Sequence, residues 1–420
     1  MRLSLNTVVR SAMRSSSALR GGVGGGGAPP ALDIRASVGT STSPTSTGTK
    51  AVTGVGFQPK VVLDLGVAQT ASGAASDYLA LGMGAMASSQ SSVCVFSAGA
   101  LTTSNTSRRH SAAAGFETQF NGGVFNSAAK SSFDADGFTR NWTAVDVARI
   151  LNHICLGGAD LEVSLTQQQM NGTNAAQSFA HGLSGAPTGV LFFGLPMSLG
   201  PASTTLDLLL NIGAWASTGQ FCASISSANG LTTTATRRRL STTEVLTDLY
   251  SSVTRSMAVS SVNATNVNVT YPVTSASGQY YFFMLAIRGA KCQVGTFDCN
   301  GSTSPLTIST TGITPKLFLP VFVPVGVDSV GTVQSDLNLT IGASDGTNNV
   351  SCGIQDVSGL TTTATIRWQS SNKLAEYGGA GAGTKFFEGT AAFGGESVIL
   401  TPTTNGSSSF GQGGFLVIGS

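Results

Sequence analysis

Charge is scarce in this chain. Asp, Glu, Lys and Arg make up only 10% of its 420 residues, where an ordinary soluble protein carries about 25%. The 22 basic and 20 acidic side chains leave a formal net charge of +2. A polyelectrolyte tail or a general nucleic-acid binder needs dense charge of one sign, so both are excluded. Three histidines, and six cysteines without a Cys-x-x-Cys pair, give no support for a zinc ribbon, a zinc finger or a redox dithiol. The chain can mature in a reducing cytoplasm. Long apolar runs are missing too. The longest are Leu317 to Val327, broken by Pro320 and Pro324, and Tyr280 to Ile287, both short of the roughly 20 residues a spanning helix requires. No membrane span is expected. Helix signals are few: Ser241-Thr242-Thr243-Glu244 before Val245, Leu246 and Leu249 reads as a capping box that opens one short helix.

What the chain does have is apolar and small residues, 41% hydrophobic with 53 glycines, and a length that allows about three domains. Residues 1–32 stand apart. They carry Arg2, Arg10, Arg14 and Arg20 with no acidic residue, followed by the run Gly21 to Pro30. An Arg- and Ser-rich, acid-free start is also the composition of a transit peptide, whereas a secretory signal would need an apolar stretch after the arginines. The glycine run has high chain entropy and reads as a flexible link. Residues 1–32 are therefore expected to be a basic anchoring arm, in which the four arginines contact a partner.

The chain repeats itself at a fixed interval. Pro59, Pro187 and Pro315 follow similar Gly-containing segments at intervals of 128 residues. Leu79/Leu81/Met83 returns as Leu208/Leu210/Ile212 and Leu337/Leu339/Ile341, each with a Gly-Ala at 84, 213 and 342. Gly99-Ala100-Leu101-Thr102-Thr103 returns as Gly230-Leu231-Thr232-Thr233 and Gly359-Leu360-Thr361-Thr362, with Arg108, Arg237 and Arg367 beyond. Several anchors in one order at one spacing set three units, 33–159, 160–290 and 291–420. Within them the apolar period is two. Asp336 to Ile341 and Asn266 to Tyr271 alternate like half-buried strands, while Val61-Val62-Leu63, Val190 to Phe193 and Tyr280 to Ile287 suit strands buried on both faces. The expected fold is all-β: an extended arm, then three tandem β-sandwich, jelly-roll-like pseudo-repeats of about 130 residues, each able to fold by itself.

Residue patterns that could carry catalysis are few and incomplete. Gly342-Ala343-Ser344-Asp345-Gly346 matches a nucleophile elbow in letters, but no helix pattern follows and no histidine lies in its unit, so a turn is expected. Asp134-Ala135-Asp136-Gly137 has the opening carboxylates of a calcium loop without the later ligands, and reads as an Asx-glycine turn. His110, His153 and His181 lack partners at ligand spacing. No catalytic, cofactor or metal residue is assigned. Cys94, Cys222 and Cys352 are expected at one repeat position on a strand, as small buried side chains. Cys292 and Cys299, seven residues apart, allow a local disulfide in an oxidising setting. The basic clusters Arg108-Arg109-His110 and Arg237-Arg238-Arg239 suit local hydrogen bonds or subunit contacts rather than nucleic acid. Trp142, Trp215 and Trp368 fall at different repeat positions, so no shared sugar-stacking platform is expected.

Val52 to Leu63 (VTGVGFQPKVVL), Ser132 to Trp142 (SFDADGFTRNW) and Leu156 to Asp160 (LGGAD) resemble a module of tailed-bacteriophage virion proteins, over residues 50 to 160. The second and third units look like diverged copies. The resemblance implies a structural virion component without catalytic residues: a tail-associated fibre or spike protein aiding host attachment, or a capsid decoration (head-fibre) protein. A glycan-degrading tailspike enzyme is disfavoured because paired acids are absent from the pattern. The implied partners are other virion proteins, further copies of the chain in a trimer or another symmetric oligomer, and host-surface glycan. Nucleic acid is not among them. The implied location is the virion, assembled in the bacterial cytoplasm.

Overall fold

A computed structural model describes residues 31–420 except 74, 77, 122, 172–174, 196–202, 205, 275–279, 300, 325–329, 379–384 and 406–411. Arg2, Arg10, Arg14 and Arg20 of the expected arm lie outside the described residues. Among the described residues every regular element is a β-strand, all pairing is antiparallel, and there is no helix. The helix expected at Ser241–Glu244 is corrected. The Ser241 hydroxyl accepts from the Thr243 amide in a tight turn, and Glu244 takes the buried Arg239 guanidinium at 2.6 Å instead of capping a helix.

The strands of the first unit form two layers. The larger sheet runs Arg35–Thr42, Ile150–Gly157, Pro59–Gly66, Leu79–Met86, Gln90–Ser97, Thr106–Ser111, and the smaller runs Gly48–Thr53, Gly137–Ala144, Gly123–Asp134, Phe116–Phe120. The strands within 162–288 and within 291–419 repeat both orders. Each larger sheet gains a seventh, two-residue strand from another unit. Ser203–Thr204 pairs with Thr106–Ser111, Gln334–Ser335 with Thr236–Ser241, and Ala75–Ser76 with Thr365–Ser370. The last of these leads from the third unit back to the first, so the three units close into a ring.

Closure places a core on each face of every seven-stranded sheet. Val61, Leu63 and Leu65, Leu191 and Phe193, and Leu319 and Val321 belong to one apolar cluster shared by all three units. Alternate neighbours such as Phe192 and Phe318 point the other way, under the four-stranded sheets, in clusters of their own. Leu32–Ser420 accordingly forms one compact body. This corrects the expectation of independently folding modules: a unit alone would expose its face of the shared cluster, at about 1.5–3 kcal/mol for each large side chain.

The double cover also decides which strand readings hold. Tyr280–Arg288 and Gly189–Leu195 are buried on both faces, and Asn266–Thr270 is half-buried by alternation. Leu337–Ser344, expected to be half-buried, is buried throughout, with Asn338 and Thr340 3% and 0% exposed, because each of its faces meets a core. The repeated Gly-Ala has a steric cause. A Cβ on Gly84, Gly213 or Gly342 would lie 2.0, 1.9 or 2.0 Å from the carbonyl oxygen of Gly115, Val245 or Leu374, where the chain enters the smaller sheet. These glycines therefore mark equivalent positions.

Register from them corrects the cysteines. Cys222 lies opposite Gly213, but Cys94 lies opposite Gly82 and Cys352 opposite Ile341, so the three are not equivalent. The hairpin of the first unit is one residue shorter, which sequence offsets alone absorb. Cys292 and Cys299 are free thiols. Cys292 sits near the start of the extended strand Lys291–Asp298 and Cys299 just past its end, about 23 Å of chain apart at a strand's rise per residue, which excludes the local disulfide.

Candidate interaction face

The bonds that close the ring recur at equivalent residues. Opposite Val95, Ile225 and Ile354 on the preceding strands stand Arg108, Arg238 and Arg367. Arg108 donates to Asp207 O at 2.9 Å, Arg238 to Asp336 O at 2.7 Å, and Arg367 to Tyr78 O at 3.1 Å, in each case the residue just before the first strand of the neighbouring unit's Leu-x-Leu hairpin. Arg238 also donates to Pro324 O at 2.6 Å, and Arg367 to Ala68 O at 3.3 Å. The basic residue equivalent to Arg108 is thus Arg238, not the Arg237 expected from spacing. Guanidinium suits this task because its planar fork reaches several carbonyls at once.

One strand further in, Ser97, Ser227 and Asp356 end the three equivalent strands. Both hydroxyls donate to Asp356 Oδ2, at 3.0 Å from Ser97 and 2.8 Å from Ser227. Equivalent residues of three units can meet on one atom only near the ring's axis. Asp356 is 1% exposed, and its Oδ1 has no hydrogen-bond partner among the described residues. Burial raises its carboxyl to about 6, against the pull of the Ser227 and Ser97 hydroxyls.

The loops that follow these strands bond to one another around the same axis. Thr363 N donates to Leu101 O at 2.8 Å, Ser104 N to Leu231 O at 2.9 Å, and Thr234 N to Leu360 O at 2.9 Å. In return Ala100 N donates to Thr363 O, Gly230 N to Ser104 O, and Gly359 N to Thr234 O, each at 2.8 Å. A third set runs from the Leu101, Leu231 and Leu360 amides to the Thr363, Ser104 and Thr234 hydroxyls, each at 2.9 Å. Ala100, Gly230 and Gly359 have φ of 57°, 73° and 78°, the left-handed conformation that explains the glycine of the second and third units. A second belt uses the hairpin turns: Ser89 Oγ donates to Leu165 O, Thr218 Oγ to Val294 O, and Val38 N to Asp345 Oδ2.

The other sequence candidates are absorbed by structure. Ser344 donates to Ala391 O and accepts from Gly346 N, and Asp345 Oδ1 accepts from Thr347 N and Asn348 N, a strand-to-strand turn rather than an elbow. Asp136 accepts from Gly54 N and Gly56 N at 3.0 and 2.6 Å, and Asp134 from Ser132 and Thr139. Asp136 therefore latches the VTGVGFQP segment to the hairpin, and Asp134 braces the hairpin itself. Glu396 accepts from Gly312 N at 3.0 Å and does the same in the third unit. His181 takes the Leu183 amide on Nδ1 and lies 3.2 Å from Asn263 O through Nε2. His153 is buried against Phe138, and burial, with Arg140 beside it, lowers its pKa to about 3, so it is neutral. Arg109 and Arg239 pair with Glu117 and Glu244. Trp142 and Trp368 are buried, and Trp215 packs partly buried against the second unit's core.

Two hollows remain. One of about 220 Å³ is lined by Asp207, Leu231, Arg237 and Tyr250 among others, and one of about 440 Å³ lies open between Lys60, Lys130, Phe133 and Glu162. The second hollow's ammonium groups are taken up by backbone carbonyls, Lys60 by Leu161 O at 2.6 Å and Lys130 by Ala87 O. Among the described residues no group of three or more His, Cys, Asp or Glu could hold a metal ion, and no helix is long and apolar enough to cross a membrane. Sequence reasoning missed Asp356 and Arg238. Both become visible once the Gly-Leu-Thr-Thr loops, rather than the preceding strands, are used to align the units. A scan against protein-family models and a search of curated proteins find no match to this chain.

Proposed function

We propose that the chain is a structural protein of a tailed-bacteriophage virion, a tail-associated fibre or spike component that aids host attachment and is anchored through residues 1–32. In this reading the three units are diverged copies of one jelly-roll-like β-sandwich, and the protein assembles in the bacterial cytoplasm with other virion proteins. The observation that carries it is where the polar chemistry goes. Arg108, Arg238, Arg367 and Asp356 are spent on joining units, and Asp136, Glu396 and His181 on joining loops. Such a body is suited to contact, not turnover. A trimer or another symmetric oligomer of the chain remains part of this reading, while the pairing that closes the ring occupies one edge of each seven-stranded sheet.

Copies per purified particle, counted by quantitative mass spectrometry with immunogold localisation, test the reading. A few to tens of copies at the tail are expected. Hundreds over the head would establish the alternative, a capsid decoration protein, and none would defeat both. Removing residues 1–27 should leave a folded β-rich protein that no longer enters particles. Host polysaccharide depolymerised by the pure protein would revive the enzyme reading.

A further inference from the structure

At the loop end of the ring the three units present the same exposed residues. Leu101, Leu231 and Leu360 are 38, 41 and 37% exposed, and each is followed by two exposed threonines. Two other exposed turns of the three units share no such identity. The hairpin tip Asp134-Ala135-Asp136-Gly137 has the counterparts Asn263-Ala264-Thr265-Asn266 and Gly394-Gly395-Glu396, and the turn at Ser88-Ser89 has Ser217-Thr218 and Asp345-Gly346-Thr347-Asn348. The ring bonds explain the backbone of the loops but not their side chains, because the Leu amides and carbonyls that make them are common to all residues. A half-exposed leucine adds little to a fold, and nothing in the turn requires two threonines after it. Residues 98–105, 228–235 and 357–364 also contain no charged side chain. The loops are held rigidly to one another, so the three tips keep fixed spacing around the axis and bind without an ordering cost.

We propose that this end of the ring is a docking face for a homotrimeric protein, each subunit of which receives one uncharged Leu-Thr-Thr tip in an apolar pocket near its own threefold axis. A monomeric partner would meet a single tip and leave no reason for three identical ones. A strongly charged partner surface would be desolvated against apolar side chains without compensation. A single chain with cyclic pseudo-symmetry satisfies all three subunits at once, and the contacts reinforce one another by effective concentration.

The proposal rests on the virion reading, and the experiment separates the two. Particles purified from infected cells are probed with antibody to the full chain, then reconstructed by electron cryomicroscopy without imposed symmetry at the labelled site. The expected result is a ring whose axis coincides with a threefold axis of adjoining subunits, with Leu101, Leu231 and Leu360 facing them. Full-length chain carrying Leu101→Asp, Leu231→Asp and Leu360→Asp together should melt like the parent and enter particles at least tenfold less. The triple change Thr49→Asp, Thr270→Asp and Thr307→Asp, at exposed strand positions away from the loops, should leave entry unchanged. A chain absent from particles overturns the virion reading and the docking with it. A chain present with its tips in solvent, tips meeting the tips of a second ring, or undiminished entry of the leucine variant overturns the docking alone.

Discussion

The interiors of the first and third sandwiches are filled in opposite ways. In the first, Arg140 reaches across from the smaller sheet to Asp64 with two bonds of 2.9 and 2.5 Å, the pair 2% and 0% exposed, and stacks over Phe138 with its guanidinium 4.5 Å from the ring centroid. His153 lies opposite Asp64 in the register. In the third, Phe318, Phe322, Phe387 and Phe415 occupy the space, with ring centroids 5.4 to 5.8 Å apart in the contacting pairs. Counting from Pro59, Pro187 and Pro315, Asp64 corresponds to Phe192 and Pro320. One strand order therefore tolerates a charged or an aromatic filling. The sheets are fixed by their pairing and by the shared cluster, and the filling under the smaller sheet is free to differ as long as volume and hydrogen bonds are satisfied.

The largest effect should come from splitting the ion pair. Arg140→Met or Asp64→Leu alone is expected to cost about 3–5 kcal/mol in denaturant unfolding, because the remaining charge is buried without a partner, while the double variant returns to within about 1 kcal/mol of the parent or above it. Phe415→Ala in the third unit should cost a similar 3–5 kcal/mol through its cavity, with no rescue of that kind. Single variants of the pair that lose under about 1 kcal/mol would break the contrast.

Next come the glycines, which test whether the two regions share a frame. Gly84→Ala and Gly342→Ala each drive a Cβ to 2.0 Å from a carbonyl oxygen, and each should cost about 3 kcal/mol or more, equally within error. Unequal losses would show that the frame differs as the filling does.

Acid sharpens the comparison further. Burial, with Arg140 beside it, holds His153 at about 3, so the unfolded chain takes up its proton first, and His153 costs stability as pH falls below about 6.5. Asp356, raised to about 6 by burial, does the reverse. The folded chain binds its proton first, so its contribution improves as pH falls from about 6 towards 4. Between pH 7.5 and 4.5, His153→Met should reduce the acid loss and Asp356→Asn should enlarge it, each by about 1–3 kcal/mol in urea melts. Equal slopes for both variants would contradict the assignment.

The smallest effect is expected at the loop ring. Ala100 holds the left-handed conformation that Gly230 and Gly359 adopt in the other units. Ala100→Gly should gain up to about 1 kcal/mol and Gly359→Ala should lose about as much, read as shifts in melting temperature.

Much of the fold was legible because strand chemistry is local. The alternation of Val267, Val269 and Tyr271 and the unbroken run Tyr280 to Ile287 carry their burial in their own letters. Asn338 and Thr340 misled because alternation reports which residues share a face, not whether that face meets water, and here a second sheet covers it. The capping-box letters at Ser241 were overruled by Arg239, which claims Glu244 from the end of the strand that leads into the turn. The candidate face was half legible. The recurring Leu-Thr-Thr stood in the sequence, but its exposure and mutual bonding did not.

The sequence by itself determined an all-β chain of low charge, with strand periods of two and anchor residues returning about every 129 positions, since these follow from side-chain type and backbone preference. Only the tertiary structure decided that the third unit's edge strand pairs with Ala75–Ser76 of the first, that Asp356 meets Ser97 and Ser227, and that one interior is ionic where another is aromatic. Those outcomes depend on contacts between residues more than a hundred positions apart, whose partners no local pattern names.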